Sequence, residues 1–448
     1  MSKIILAGTS TPKTFSLIKS TSVLIGMVVG TGIFSFPPMI AISTQNTFQF
    51  LMVWLIGGFI SLMGGLSYVA LSSIYPNSGG EYSYLKETYG KGIGFSFAWA
   101  RMIVIQTGSI AIIAYIFGDY ATAIFDMGIY SASIYAFMVI ILFTLINIWG
   151  TKYAQNTQVG LTAMIVFVFI ALIIFTFYKH PVHFSEINVN GRDNFSFGEE
   201  WIGPAFIFVL LTFGGWNETS YLAGEMDDFH KNMIKTLVYG ILSVTIIYIG
   251  INMAFIQVLS FEGLKSSKIV GFDFTNKLIG TLGSQVMVFL IIICALSTLN
   301  ASIITGARTN FILGNEYAAF KFMGKWSIKN NAPVQALIAQ CIIALVFVFV
   351  GLLSQERIRT IVNLTAPVFW FFIILIILSI FILRKRGKFE NTSFSKPIFL
   401  VPPFLFLGAS LYLFYSSIKF TGILTIYGIG IVLLAIPIYL ISNHYDKN

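Results

Sequence analysis

Two apolar stretches of the chain carry glycine clusters that would interrupt a helix. Residues 30 to 34 read Gly-Thr-Gly-Ile-Phe and are followed by two prolines at 37 and 38. Residues 213 to 218 read Phe-Gly-Gly-Trp-Asn-Glu, so two polar residues follow the glycines after a single tryptophan. A membrane helix tolerates a single glycine, but several glycines close together weaken it, and proline lacks the N–H that a helix needs. A close-packing face formed by Gly26 and Gly30 is the alternative for the first cluster, but it leaves the prolines unexplained.

Broken helices expose backbone groups that can bind charged ligands. The half-helix after a break begins with unpaired N–H groups and a partial positive charge, which suits a carboxylate. The half-helix before the break ends in unpaired carbonyl groups, which suit an ammonium group. Two breaks lying side by side would therefore bind a zwitterion without any charged side chain. A free α-amino acid is the simplest ligand of this kind.

The composition indicates that membrane-spanning helices position these breaks. The chain is 56% apolar and only 10% charged, with a mean hydropathy of +0.85, whereas a soluble domain needs about a quarter of charged residues. A helix that crosses the bilayer needs about 20 mostly apolar residues. Twelve such runs are present, and the two glycine clusters lie in runs 1 and 6. The runs cover residues 17 to 42, 49 to 75, 92 to 125, 131 to 149, 157 to 178, 201 to 224, 233 to 258, 280 to 312, 333 to 353, 357 to 383, 397 to 418 and 421 to 443.

The positions of the two breaks predict an internal repeat. Runs 1 and 6 correspond if runs 1 to 5 and 6 to 10 are repeats, and an odd number of spans makes the second repeat inverted. The predicted organisation is a tail at 1 to 16, repeats at 17 to 178 and 201 to 383, and two further helices at 397 to 443. An inverted repeat with two broken helices is typical of secondary transporters, whose site lies at the bilayer midplane.

The basic residues predict the orientation. An even number of spans places both termini on one side, and 19 of the 27 Lys and Arg residues fall on that side. Cytoplasmic loops are richer in Lys and Arg, so both termini are expected in the cytoplasm. The segment from Arg384 to Lys388 is interpreted as an orientation signal, with a lipid-binding switch as the alternative. No cleavable signal peptide is evident in the first residues, which are read as a retained tail.

Several other classes of protein fit the sequence poorly. The net charge of +9 is scattered between apolar runs, so no nucleic-acid partner is expected. Cys294 and Cys341 both lie in apolar runs, which argues against disulfides and Cys-rich metal sites. His180 and His183 are a weak metal signal in a predicted loop. A polytopic membrane enzyme is the alternative from a different class, but no nucleophile, base or metal cluster is evident at membrane depth. No cofactor and no metal are therefore expected.

Four segments match motifs that one transporter superfamily carries in the same order. They are residues 30 to 34 (GTGIF), 78 to 87 (SGGEYSYLKE), 106 to 111 (QTGSIA) and 214 to 217 (GGWN), the last followed by Glu225. The chain thus resembles the amino acid-polyamine-organocation (APC) superfamily, and most of all bacterial permeases allied to the L-type amino acid transporters. The resemblance implies an all-α membrane protein of twelve helices. It also implies a leucine-transporter-type 5+5 inverted repeat, with helices 1 and 6 broken and two C-terminal helices added.

The resemblance also implies the residues of a substrate site. The N–H groups of Thr31 and Gly32 would bind the substrate carboxylate. The carbonyl groups of Val28, Leu211 and Gly214 would bind its amino group. The full set of expected substrate-binding residues is Val28, Thr31, Gly32, Leu211, Phe213, Gly214 and Asn217. Relatives often carry an aromatic gate at the position of Leu211, so an aromatic lid is not expected in this chain.

Three acids are candidates for coupling or gating. Glu218 lies deep in run 6, where an unpaired carboxylate is costly, so it is expected to be protonated, or paired with a partner or a bound cation. Glu225 follows seven residues later on the same helical face, and the two acids outline a possible proton path. The alternative is that Glu218 only bonds a neighbouring span and holds the broken helix in shape. Glu81 is either a solvated loop charge or a gating residue.

The coupling ion stays open between a proton and sodium. Proton-coupled and sodium-independent relatives often carry a lysine in span 5, about thirteen residues after the position of Lys152, and counting places Ile165 there. Span 8 offers polar groups near where related folds bind sodium, although hydroxyls in a span more often bond their own helix. These groups belong to Ser297, Thr298, Asn300 and Ser302. The predicted loop between spans 3 and 4 lacks cysteine, so no disulfide-linked heavy chain is expected.

The sequence therefore predicts a secondary transporter, either a permease or an exchanger. It would carry free amino acids, preferably neutral L-amino acids, across the plasma membrane by alternating access. A cationic amino acid or a polyamine is the alternative substrate, because Glu218 could face a cationic side chain. Antiport and symport both remain possible.

Overall fold

The computed structural model describes residues 13–181, 202–267, 269–352, 357–390, 392–421 and 424–445. Within these ranges the chain forms helices and connecting turns, together with two isolated bridges and no extended strand. The all-helical fold class is thereby confirmed. Residues 1 to 12 of the predicted tail and His183 lie outside the described residues.

Ten helices of the described chain are long and apolar enough to cross a membrane. Each of them overlaps one of the predicted runs, so we number the spans by these runs. Spans 1 to 5 are Leu17–Ser35, Thr47–Ile74, Lys91–Ile124, Ser131–Trp149 and Thr151–Lys179; spans 7 to 11 are Phe229–Leu259, Thr281–Glu316, Val334–Leu352, Thr365–Lys385 and Pro397–Lys419. The protein is thus a multi-pass membrane protein.

Runs 6 and 12 do not form single long helices. Span 6 consists of the helix Ile202–Thr212 and the 3-10 helix Trp216–Glu225, which are separated by the two glycines. Span 12 is divided into Leu424–Leu433 and Ala435–Tyr445. Pro437 explains the second division, because its ring clashes with the carbonyl group four residues earlier. Twelve complete crossings therefore remain a prediction.

Span 1 is interrupted where the glycine cluster predicts. Its first half, Leu17–Val28, ends before the glycines, and the chain resumes as the short helices Gly32–Ser35 and Pro37–Ser43. Proline is well tolerated in the first turn of a helix, and here it starts the last of these segments. The predicted break in run 1 is confirmed.

Spans 1 and 8 occupy the centre of the bundle. Span 1 packs against spans 5, 7 and 8, and span 8 also packs against spans 3 and 9. In the apolar window of span 8, 72% of the residues are buried, against 22% in span 11. The exposed residues of span 11 are mainly apolar, as expected for a helix that faces lipid.

Both described chain ends lie at the same end of the bundle. Phe15 is fully buried and forms a parallel bridge with Met226, directly after span 6. Near the other terminus, Tyr439 packs against Phe95 and Tyr317, at the start of span 3 and just after span 8. We call this end of the bundle the N-terminal side. The last residues of the predicted tail are thus bound to the bundle rather than solvated.

Candidate functional site

The two helix breaks lie against each other, as the sequence predicts. Gly215 has φ +110°, and a Cβ atom added there would lie 3.1 Å from the carbonyl oxygen of Met27 in span 1. The hydroxyl of Tyr248 in span 7 donates to the carbonyl oxygens of Val28 and Thr212, at 2.8 and 3.2 Å. At residue 215, only glycine can adopt this positive φ and also lie so close to the carbonyl oxygen of Met27. Tyr248 therefore fixes the two broken ends relative to one another.

The break in span 1 presents two free N–H groups. Among the hydrogen bonds of the described residues, none has the N–H of Thr31 or Gly32 as its donor. Gly32 is the first residue of the helix Gly32–Ser35, where N–H groups have no partner within the helix. The two adjacent N–H groups are suited to the two oxygens of a carboxylate.

The carbonyl groups expected to bind an amino group differ in availability. The oxygen of Val28 accepts from the N–H of Gly30 at 2.8 Å as well as from Tyr248. The oxygen of Leu211 accepts from the N–H of Gly214 at 3.2 Å, and that of Gly214 has no donor within the described chain. An ammonium group could reach Gly214 directly, whereas at Val28 it would have to displace an existing bond.

An apolar cavity of about 70 Å³ opens beside the break in span 6. Leu211 is 45% exposed and contributes to its wall, where relatives often carry the aromatic gate. Phe213 does not line the cavity; it is buried against Trp54 and Tyr248. The lining residues are Ser61, Leu210, Leu211, Gly214, Gly215, Trp216, Asn217, Phe369, Trp370, Ile373, Phe406 and Leu413. Sequence reasoning missed the contribution of spans 10 and 11 to this wall.

Glu218 forms a buried ion pair with Arg101 of span 3. Two nitrogens of the guanidinium donate to the two carboxylate oxygens at 2.9 and 2.6 Å. A third nitrogen donates to the hydroxyl of Thr309 in span 8 at 3.1 Å, and the guanidinium lies 3.9 Å from the ring centre of Tyr221. Of the alternatives for Glu218, the structure shows pairing with a partner. Arg101 was detectable as a cation within an apolar run.

Glu81 is buried, so its interpretation as a solvated charge is wrong. It begins the helix Glu81–Tyr89, which links spans 2 and 3. One carboxylate oxygen accepts from the hydroxyl of Tyr68 at 2.6 Å and from the amide of Asn217 at 2.9 Å; the other accepts from the hydroxyl of Tyr221. Asn217 also lines the cavity, and it thereby connects the cavity to Glu81.

Glu225 does not share a face with Glu218, so that prediction is wrong. The two acids lie in a 3-10 helix, where each residue turns about 120° and a spacing of seven leaves them about 120° apart. Glu225 pairs with Arg308 of span 8 at 2.6 and 2.9 Å and accepts from the hydroxyl of Thr14 at 3.2 Å. The two acids therefore pair with different guanidinium groups, that of Arg101 and that of Arg308.

A family model for amino acid permeases matches residues 15–443. The chain belongs to this family. It is a family of the APC superfamily, and the permease is accordingly a transporter rather than an enzyme.

Three relatives illustrate the range of similar proteins. The permease is 27% identical to the serine/threonine exchanger SteT of Bacillus subtilis over 436 residues, which cover 95% of this chain and 96% of the relative. It is 27% identical to the b(0,+)-type amino acid transporter 1 of Mus musculus over 92% of this chain and 84% of the relative. It is 25% identical to the large neutral amino acids transporter small subunit 2 of Homo sapiens over 98% and 82%.

Gln158, not Ile165, is the polar residue of span 5 that reaches spans 1 and 8 of the permease. Its amide nitrogen donates to the hydroxyl of Ser297 at 2.8 Å and contacts the carbonyl oxygen of Ser22 at 3.4 Å. Its amide oxygen accepts from Asn300 at 2.9 Å. Ile165 is buried among apolar side chains, and counting forward from Lys152 did not find Gln158.

The polar groups of span 8 bond to neighbouring helices. The hydroxyl of Thr298 donates to the carbonyl oxygens of Gly26 in span 1 and Cys294, at 2.9 and 3.0 Å. Asn300 also bonds Ala154 in span 5 and accepts from Asn147 in span 4. No group of three metal-ligating His, Cys, Asp or Glu side chains occurs in the described part of the permease. Binding of sodium by these span 8 groups stays a prediction.

Proposed function

We propose that the permease carries free neutral L-amino acids across the plasma membrane by alternating access. The substrate carboxylate would bind the free N–H groups of Thr31 and Gly32, and its amino group the carbonyl of Gly214. The observation that supports this most strongly is the apolar cavity directly beside Gly214 and Gly215. The cavity lies beside the break in span 6, and its apolar wall suits the side chain of an amino acid whose amino group binds Gly214; Val28, Thr31 and Gly32 of span 1 do not line it.

The walls of the cavity favour neutral side chains over cationic ones. Leu211, Trp370 and Phe406 contribute apolar surface, and no lining residue is acidic. Glu218 was the reason to consider a cationic substrate, but its carboxylate pairs with Arg101. A lysine side chain or a polyamine would lose its hydration at this wall without gaining a counter-charge.

The test of this function is counterflow in proteoliposomes. Purified permease is given a panel of labelled amino acids, with and without sodium and a pH gradient. We expect accumulation of neutral amino acids and little accumulation of lysine, arginine or putrescine. Preferential counterflow of the cations would support the alternative substrate class instead. If none of the labelled amino acids accumulates, the proposal of amino acid transport is contradicted.

Substituting Leu211 by tryptophan should change which neutral amino acids are carried. The larger side chain fills the cavity, so KM should rise about tenfold or more for leucine and phenylalanine and change little for alanine, since a misfit of even one methylene group costs about 1–3 kcal/mol. Leu411→Trp is the matched control, because Leu411 is exposed on span 11 and does not line the cavity. An equal change for all substrates in L211W would argue against this cavity as the side-chain site.

We further propose that both termini are cytoplasmic, with inverted repeats at 17 to 178 and 201 to 383 and added spans at 397 to 443. The charge bias and the location of both described chain ends on the N-terminal side support the orientation. Cys294 and Cys341 are free and lie in spans 8 and 9, so a permease without a disulfide-linked heavy chain is proposed as well.

Cysteine labelling of intact cells tests the orientation. In a variant lacking Cys294 and Cys341, single cysteines replace Ser2 or Asn448, and an impermeant maleimide should label them only after permeabilisation. Ser266→Cys is the control, because it lies exposed between spans 7 and 8 and should be labelled from outside. Labelling of either terminus in intact cells would show that this terminus lies outside and that the proposed orientation is wrong.

A further inference from the structure

A buried cluster on the N-terminal side contains two carboxyl groups for one guanidinium. Glu81, Arg101 and Glu218 are 1, 2 and 6% exposed, and we call them the charge cluster. Arg101 lies 2.6 Å from Glu218 and 3.8 Å from Glu81. With both acids ionised the charge cluster would carry a net charge of −1, which is costly away from water.

No second cation contacts the charge cluster in the described part of the chain. The titratable groups facing Glu81 are the hydroxyls of Tyr68 from span 2 and Tyr221 from span 6, besides Arg101 and Glu218 themselves. Tyr84, on the same helix as Glu81, bonds Ser72 in span 2. A proton is therefore the simplest ligand that makes the charge cluster neutral.

The contacts indicate which acid holds the proton. Glu218 receives hydrogen bonds from two guanidinium nitrogens of Arg101, which is the bidentate geometry of a charge-assisted arginine–carboxylate pair. Glu81 has only neutral groups within hydrogen-bond distance, and a hydroxyl such as that of Tyr221 can also accept a hydrogen bond from a protonated carboxyl group. Burial raises the pKa of Glu81 above its ordinary value; Arg101 opposes this shift, and the charge of Glu218 adds to it.

Arg101 has a second acid within reach. Glu81 belongs to the helix that immediately precedes span 3 and packs against its start, whereas Glu218 belongs to the broken span 6. If span 6 moves away from span 3, Arg101 loses Glu218 and Glu81 becomes its nearest acid. The guanidinium would then stabilise an ionised Glu81.

We propose that the charge cluster is a proton-binding site that makes opening of the N-terminal side pH-dependent. In the closed state Glu81 holds one proton and Arg101 pairs with Glu218. On opening, Glu81 releases this proton to water and pairs with Arg101, while Glu218 becomes hydrated. Raising the pH therefore favours the open state and lowering it favours the closed one. This inference rests on the alternating access of the proposed function.

The proton site also has a connection to the substrate. The amide of Asn217 donates to Glu81 and lines the cavity beside the break. A bound amino acid that draws this amide into the cavity would remove a hydrogen bond from Glu81. Substrate binding and the protonation of Glu81 are thus coupled through one side chain.

Distance measurements between spin labels test the proposal without substrate. In a variant lacking Cys294 and Cys341, labels are attached at Lys231→Cys in span 7 and Lys325→Cys after span 8, both exposed on the N-terminal side. The ratio of long to short distances should rise with pH. One released proton makes this ratio rise by up to about tenfold per pH unit between the pKa of Glu81 in the open state and its higher pKa in the closed state. Glu81→Gln cannot ionise and should keep the short distance at every pH.

Two further variants complete the test. Glu218→Gln leaves Glu81 as the one acid beside Arg101, so it should also abolish the pH dependence of the distances. It replaces E81Q as the test variant if E81Q does not fold. Glu316→Gln is the matched control, because it removes a carboxylate that pairs with Lys86 on the same side, outside the charge cluster, and it should retain the dependence of the unmodified protein. A pH-independent distance in the unmodified protein, or an unchanged dependence in E81Q, would overturn the proposal.

The outcome separates this inference from the proposed function. If the distances shift with pH but the protein shows no amino acid counterflow, the proton site is supported and the proposed substrate is wrong. Counterflow combined with pH-independent distances would reject the proton site alone.

Discussion

Replacing Gly32 by valine is expected to abolish amino acid binding while the permease still folds and inserts. A Cβ atom at residue 32 would lie 3.3 Å from the ring of Phe36 and 3.4 Å from a methyl carbon of Thr212. The two further methyl groups of valine must occupy the space beside the free N–H groups of Thr31 and residue 32, where the carboxylate is proposed to bind. Equilibrium binding of a labelled substrate should weaken by about 100-fold or more, which corresponds to about 2.7 kcal/mol.

The matched control for this variant is Gly160→Val in span 5. No atom lies within 4 Å of a Cβ added at Gly160, so the same change there meets open space. Substrate binding and thermal stability of G160V should stay close to those of the unmodified permease. Normal binding by G32V would reduce the break in span 1 to a packing feature.

Substituting Glu225 by alanine should lower the free energy of unfolding more than any other single substitution proposed for the permease. Its carboxylate and the guanidinium of Arg308 are almost completely buried, and the substitution leaves Arg308 without its counter-charge. Removing one partner of a buried ion pair costs about 3–5 kcal/mol. Thermal unfolding of the detergent-purified protein should therefore begin at a clearly lower temperature.

Two controls show whether the lost charge pairing is the cause. Glu262→Ala breaks the pair with Lys265 at an exposed site and should change the unfolding temperature little, because exposed pairs contribute little. Replacing both buried partners by apolar side chains, Glu225→Leu with Arg308→Met, should recover much of the loss. An equally low stability of this double variant would point to a specific role of the guanidinium.

The helix breaks were predictable because their causes are local. A cluster of glycines followed by prolines weakens a helix whatever packs against it, whereas the single residues Gly160 and Pro367 are tolerated within spans 5 and 10. Hydropathy likewise reports the length of each run without knowledge of its neighbours. The free N–H groups at Thr31 and Gly32 follow from the same local pattern. The 3-10 geometry of Trp216–Glu225 does not, because nothing in its sequence distinguishes it from an α-helix, and the assumed α-helical spacing gave a wrong face for Glu225.

The partners of the acids could not be predicted with the same methods. Arg101 and Glu218 are 117 positions apart, and their contact depends on how spans 3 and 6 pack. Arg101 is one of the 19 basic residues that the orientation count places on the side of the termini, although it lies within span 3. Likewise, Gln158 meets Ser297 only because spans 5 and 8 are neighbours in the bundle.

The buried position of Phe15 sets an order of events during synthesis. The N–H groups of Thr14 and Phe15 both donate to the carbonyl oxygen of Glu225, which follows Thr14 by 211 positions in the chain. At about 5–20 residues per second, the ribosome needs between about 10 and 40 s to make this partner after the segment has emerged. Until then Glu225 and Met226, which contact Phe15 in the folded permease, have not been made. The segment around Phe15 can therefore reach its final position only after about half of the protein has been synthesised.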